Sequence, residues 1–165
     1  IAFTTWIDFS QASQQAGAIA NRFKLLQPGS AAQVDENLMM LEKDLEALDS
    51  AMKAFGEKWG GRPLIASHPI YQYLARAYGL KIEALEWEPE MELKDKDRDD
   101  LKKLLRGHAS QWMIWEDKPS EENLAAVAAL GLKSVVFSPS ANVSGEGDWL
   151  SVMKQNITNL EVLLK

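Results

Sequence analysis

From Pro63 onward, four short apolar stretches alternate with four helix-patterned ones, and that alternation leaves very few folds open. The apolar stretches are "PLIAS" (Pro63 to Ser67), "LKIEALEW" (Leu80 to Trp87), "QWMIWE" (Gln111 to Glu116) and "KSVVFS" (Lys133 to Ser138). The first intervening helix is expected over His68–Tyr78, with Ile70, Tyr73, Leu74 and Ala77 on one face and Gly79 closing it. "KDKDRDDLKKLLRG" carries its acids early and its bases late, as the helix dipole favours. "SEENLAAVAALG" is a capped helix ending at Gly131, and "GDWLSVMKQNITNLEVLLK" forms the closing one. Strand–helix–strand units of this kind join parallel strands by right-handed crossovers. The fold class expected is α/β, a four-stranded parallel sheet flanked by helices.

Residues 1–60 follow a different period. Ala12, Ala16, Ile19, Ala20 and Phe23 recur at helical spacing, with Ser10 as the expected N-cap and "QPGS" as the stop. Val34, Leu38, Leu41, Leu45, Leu48, Met52 and Phe55 then alternate steps of four and three until Gly60-Gly61. This is one long helix of roughly 25–30 residues, about 40 Å at the helical rise. The chain divides on this reading into a helical segment, 1–60, containing the long helix, and an α/β lobe, 61–165. The stripe is only about three heptads long, so it is expected to pack on the protein itself rather than to form a coiled coil.

Charge and composition narrow the function. A net charge of −6, with the acids mostly on helix surfaces and no basic stripe, argues against nucleic acid or an anionic membrane as the partner. With no cysteine in 165 residues, disulfides, thiolate metal sites and cysteine nucleophiles are excluded. No apolar run is long enough to insert across a bilayer. The chain opens on Ile1 rather than Met, so it is expected to be processed or to be a piece of something longer. In the second case, apolar surface of the piece would favour its dimerisation.

In open parallel sheets ligands gather beyond the carboxyl ends of the strands. Those ends deliver Ser67 and His68, Trp87 and Glu88, Glu116 and Asp117, and Ser138 and Pro139. A histidine and a carboxylate on neighbouring strand ends supply the nitrogen and oxygen donors that zinc or manganese takes. His68 and Glu116 are therefore the candidate metal ligands, with His68 expected at a helix start where the neutral, metal-binding imidazole is favoured. A lone histidine starting a helix is more often a structural residue than a ligand. Asp95, Asp97 and Asp99 have the opening spacing of a calcium loop, but the glycine position is Asp100 and the closing glutamate position is Arg106, so the run reads as a solvated helix start. His108 precedes the third strand and falls at the opposite end of the sheet, as a surface residue. Phosphate-loop, dinucleotide and nucleophile-elbow motifs do not occur, and a hydrolase built from Ser67 or Ser138 with His68 would lack anything to activate the serine. An enzyme is not expected.

The stretch "RPLIASHPIYQYLARAYGLKI" resembles the segment that opens the C-terminal lobe of the zinc- and manganese-binding solute-binding proteins of ABC transporters. "QWMIWE", "LGLKSVVFSP", the terminal helix and "TTWIDFSQASQQAGAIANRF" resemble further segments of that family, in order, over nearly the whole chain. The resemblance implies a bound divalent zinc or manganese, an ABC permease as partner, and a periplasmic or membrane-anchored extracellular location. The long helix matches the family's backbone helix between two lobes, and the first lobe is not represented. His68 and Glu116 match family ligand positions. Two other ligand positions, a histidine and an aspartate, hold Thr4 and Ser138 here.

Overall fold

The computed structural model describes residues 3–88, 91–142 and 147–165. Helix α1 (Phe9–Leu26) and helix α2 (Ala31–Trp59) form an antiparallel pair joined by a single 3-10 turn at Pro28–Ser30. Strand β1 (Pro63–Ala66), helix α3 (Gln72–Tyr78), strand β2 (Lys81–Ala84), helix α4 (Asp95–Gly107), strand β3 (Trp112–Trp115), helix α5 (Glu121–Ala128), strand β4 (Lys133–Val136) and helix α6 (Trp149–Glu161) follow. The strands are all parallel, in the order β2-β1-β3-β4. The α/β architecture read from the alternation is the one found.

Strand alternation sorts the core into two layers. Leu64, Ala66, Ile114, Val135 and Phe137 meet Leu48, Met52, Phe55, Leu74, Met153 and Leu160 on one face of the sheet. Ile65, Met113 and Trp115 meet Leu101 of α4 and Val127 of α5 on the other. Along α2 burial begins only at Leu45 and continues through Leu48, Met52, Phe55 and Trp59. The earlier positions Val34 and Leu38 face α1 in a shallow apolar groove lined also by Trp6, Ile19 and Phe23, while Met39, Met40 and Leu41 are exposed. Of the stripe, Leu45, Leu48, Met52 and Phe55 pack in the core, Val34 and Leu38 are partly covered, and Leu41 is exposed.

Three local expectations are corrected. The helix expected from His68 begins at Gln72. Pro69 disfavours helical geometry at His68, and the chain turns tightly there, with the Ile70 amide donating to the His68 carbonyl at 3.0 Å. His68 therefore lies in a loop, and no helix dipole acts on it. The second strand ends at Ala84 rather than Trp87, although the Leu85 and Trp87 amides still donate to the carbonyls of Ala66 and Ser67. The chain leaves regular pairing there as the Trp87 indole buries against Trp115, with ring centroids 6.2 Å apart.

The third correction concerns the cap of α1, which is Asp8 rather than Ser10. Its carboxylate accepts from the Gln11 amide at 3.2 Å and side chain at 2.7 Å, and from Arg76 of α3 at 3.1 Å. Burial pushes this carboxyl up, but those hydrogen bonds and the guanidinium charge outweigh it and hold the pKa below the ordinary value. A lowered folded-state pKa means stability that is present above the unfolded carboxylate's titration and lost as pH falls through the folded value. Asp8→Ala is expected to cost about 1–2 kcal/mol at neutral pH. In urea titrations the gap between wild type and variant should narrow below about pH 4; a gap constant down to pH 2 would refute the assignment.

Candidate metal centre

Beyond the carboxyl ends of β1, β2 and β3, three side chains converge. His68 comes from the loop after β1, Glu88 from the extended segment after β2, and Glu116 directly from the end of β3. The register that pairs Ala66 with Ala84 and Ile114 sets these segments side by side. Each residue offers a donor atom, and those atoms lie within 4.8 Å of one another. His68 Nε2 is 3.6 Å from Glu88 Oε1, and His68 Nδ1 is 3.5 Å from Glu116 Oε1. Donors sharing a tetrahedral zinc at about 2.0–2.1 Å sit about 3.4 Å apart, so both carboxylates already stand near ligand spacing from an imidazole nitrogen.

The environment grades from buried to open across this cluster. His68 Nδ1 is shut off from solvent with no hydrogen-bond partner. Glu116 is half-buried, and Glu88 is exposed. Burial pushes the Glu116 carboxyl up; the His68 charge opposes this and the adjacent Glu88 reinforces it. Tyr71, fully buried behind the site, donates its hydroxyl to the Phe137 carbonyl at 2.8 Å. Burial first, and then the Glu116 charge, hold that phenol neutral. It is a wall of the site and not a proton donor at ordinary pH. Among the described residues no lysine or arginine pairs with these carboxylates, and two carboxylates beside one imidazole are a donor set that suits a divalent metal ion.

The structure brings His68 and Glu116 together, as their strand-end positions suggested. Glu88 stands with them, although sequence reasoning placed it at a strand end without carrying it into the candidate pair. Its only signal was the register of β2 against β1, since glutamates also occupy positions 83, 86, 90 and 92. Thr4 and Ser138 are engaged elsewhere. The Thr4 hydroxyl is buried and donates to the Ile70 carbonyl. Ser138 is clamped by α6: its amide donates to Asn156 Oδ1 at 2.9 Å, and its carbonyl accepts from Asn156 Nδ2 at 2.6 Å. His108 lies before β3 at the far end of the sheet, as expected, but is half-buried with Nδ1 unpartnered rather than a plain surface residue. Asp95, Asp97 and Asp99 open α4 as read, with Asp97 accepting from the Lys94 amide.

Comparison with known proteins bears on the fold and the family. No curated protein matches the chain by sequence. Among solved structures, the Zn(II)-bound ZnuA-like domain of Streptococcus pneumoniae AdcA superposes with a TM-score of 0.86 at 19% identity, over 98% of this chain and 62% of that one. The metal-dependent lipoprotein YcdH from Bacillus subtilis gives 0.84 at 22% identity, over 98% and 62% respectively. The laminin-binding protein Lbp of Streptococcus pyogenes gives 0.76 at 24% identity, over 99% and 64%. At these identities the likeness is one of fold, and the chain spans less than two thirds of each of these proteins. The sequence model of the family described as zinc-uptake complex component A, periplasmic, matches residues 4–162. Matched over almost its full length, the chain belongs to the ZnuA family.

Proposed function

We propose that this chain is the portion of an extracytoplasmic solute-binding protein that contributes His68 and Glu116 to the capture of zinc or manganese for an ABC importer. The observation that carries the reading is the convergence of an imidazole and carboxylates at the sheet edge where an α/β fold binds its ligand. The role is binding and delivery rather than catalysis. Among the described residues no helix is long and apolar enough to cross a membrane, in keeping with a chain that hands its cargo to a separate permease. The imidazole supplies the borderline nitrogen donor, and the carboxylates supply charge neutralisation.

Titration of the protein with Zn²⁺ and with Mn²⁺, wild type beside His68→Ala, tests this directly. Loss of a direct ligand is expected to weaken binding by more than the 10–100-fold typical of an outer-shell partner. Equal affinity in the two proteins would remove His68 from the site. A second reading, that the protein has lost metal and kept a scaffold or partner-binding role, draws on the internal engagement of Thr4 and Ser138. A stoichiometric first-row metal in the purified protein would eliminate it.

A further inference from the structure

Building on the capture reading, we propose that Glu88 is a metal ligand, supplying the carboxylate that the family pattern places at position 138. Three observations lead there. First, position 138 is a serine whose backbone is held at both ends by Asn156, and whose hydroxyl accepts from the Ser140 amide at 3.2 Å. It offers no anionic donor. Second, Glu88 is exposed, with its side chain 66% accessible, yet its carboxylate is turned back to 3.6 Å from His68 Nε2. One donor atom from each of His68, Glu88 and Glu116 lies within 4.8 Å of the others, so the two carboxylates share one small volume beside the imidazole. Like charges drawn together at a sheet edge are relieved by a cation between them.

The third observation concerns which imidazole nitrogen an ion can reach. The lone pairs of the two ring nitrogens diverge, so one ion takes only one of them. Nδ1 is sealed from solvent and faces Glu116. Nε2 faces Glu88. An ion arriving from solvent therefore meets Nε2, and the carboxylate at ligand spacing from that nitrogen belongs to Glu88. Glu116 stands on the inner side, its Oε1 3.5 Å from Nδ1. The resulting donor set is one nitrogen with carboxylate oxygens, richer in oxygen than a histidine-rich site and correspondingly more accommodating to manganese.

The test compares wild type, Glu88→Gln, Glu88→Asp and His68→Ala by calorimetric titration with Zn²⁺ and Mn²⁺, and by the visible absorption of the Co²⁺-loaded proteins. Glu88 is exposed, so circular dichroism of its variants should match wild type. Glu88→Gln is expected to weaken Zn²⁺ at least 10-fold and Mn²⁺ by more, with an altered cobalt spectrum, and Glu88→Asp should recover part of the loss. An unchanged affinity in Glu88→Gln, with binding lost in His68→Ala, overturns the role of Glu88 and leaves the capture reading standing. Weakened binding with an unchanged cobalt spectrum also overturns it, because Glu88 would then act as a nearby charge and not as a ligand. Failure of the wild type to bind either ion defeats the capture reading itself.

Discussion

Gly56→Ala is expected to destabilise the protein by about 2–3 kcal/mol, the opposite sign from helix propensity. In a solvent-facing helix interior the same change gains about 1 kcal/mol. Gly56 instead sits where α2 crosses the end of α3. A Cβ built there overlaps the Tyr78 carbonyl oxygen and lies 3.2 Å from the carbonyl carbon. The obstacle is backbone, which cannot rotate aside as a flexible side chain would. Tyr78 is also pinned from its other end: its hydroxyl accepts from the Phe9 amide at 3.0 Å and donates to Asp49 at 3.1 Å. Retreat of α3 would strain those hydrogen bonds. Overpacking a dense core costs about 1–3 kcal/mol, and against a fixed carbonyl the upper part of that range applies. Urea midpoints of wild type and variant decide the matter; a variant as stable as wild type would show that α2 and α3 are not in close contact.

The second large effect is expected at Asn156. This side chain, 2% exposed, pairs with both backbone groups of Ser138, while Asn159 one turn along donates to the Val136 carbonyl at 3.0 Å. Together they tie α6 to the free edge strand. Asn156→Leu keeps the branched shape and removes both partners, leaving the Ser138 amide and carbonyl unpaired in a part-buried setting. Unmet groups of this kind cost about 1–3 kcal/mol each, so a loss of about 2–4 kcal/mol is expected. Because β4 is the strand farthest from β2, zinc affinity should fall far less in this variant than in His68→Ala. Comparable losses of affinity in both would mean that the end of β4 belongs to the site after all.

The sequence carried the strand–helix alternation because local chemistry enforces it: Gly60 and Gly79 stop their helices in left-handed geometry, and Ser120 and Asp148 cap theirs with side-chain oxygens. The errors arose where distant residues decided between local equals. Asp8 and Ser10 are both good caps, and the choice rests on Arg76, which approaches from α3. "SHPIYQYL" reads as helix from its apolar spacing, but Pro69 and the Ile70–His68 turn delay the start to Gln72. Of the site, His68 and Glu116 were legible because each directly follows a strongly apolar strand. Glu88 follows an edge strand that is mostly exposed and irregular past Ala84, so its position depended on pairing that periodicity does not encode.

Helix α2 is anchored at one end only. From Leu45 onward it is fixed in the core that carries the sheet, whereas its first three to four turns stand clear of that core, beside α1 and Trp6. At 1.5 Å per residue the free arm is about 20 Å long. Mechanically it is a lever: a tilt of a few degrees at the anchored end displaces the tip by an ångström or more, and a push on the tip returns as torque on the layer beneath β1. The anchored end presses on α3 through Gly56, and α3 follows the loop bearing His68. The free arm and the loop bearing His68 thus extend from opposite ends of one helix contact, α2 against α3.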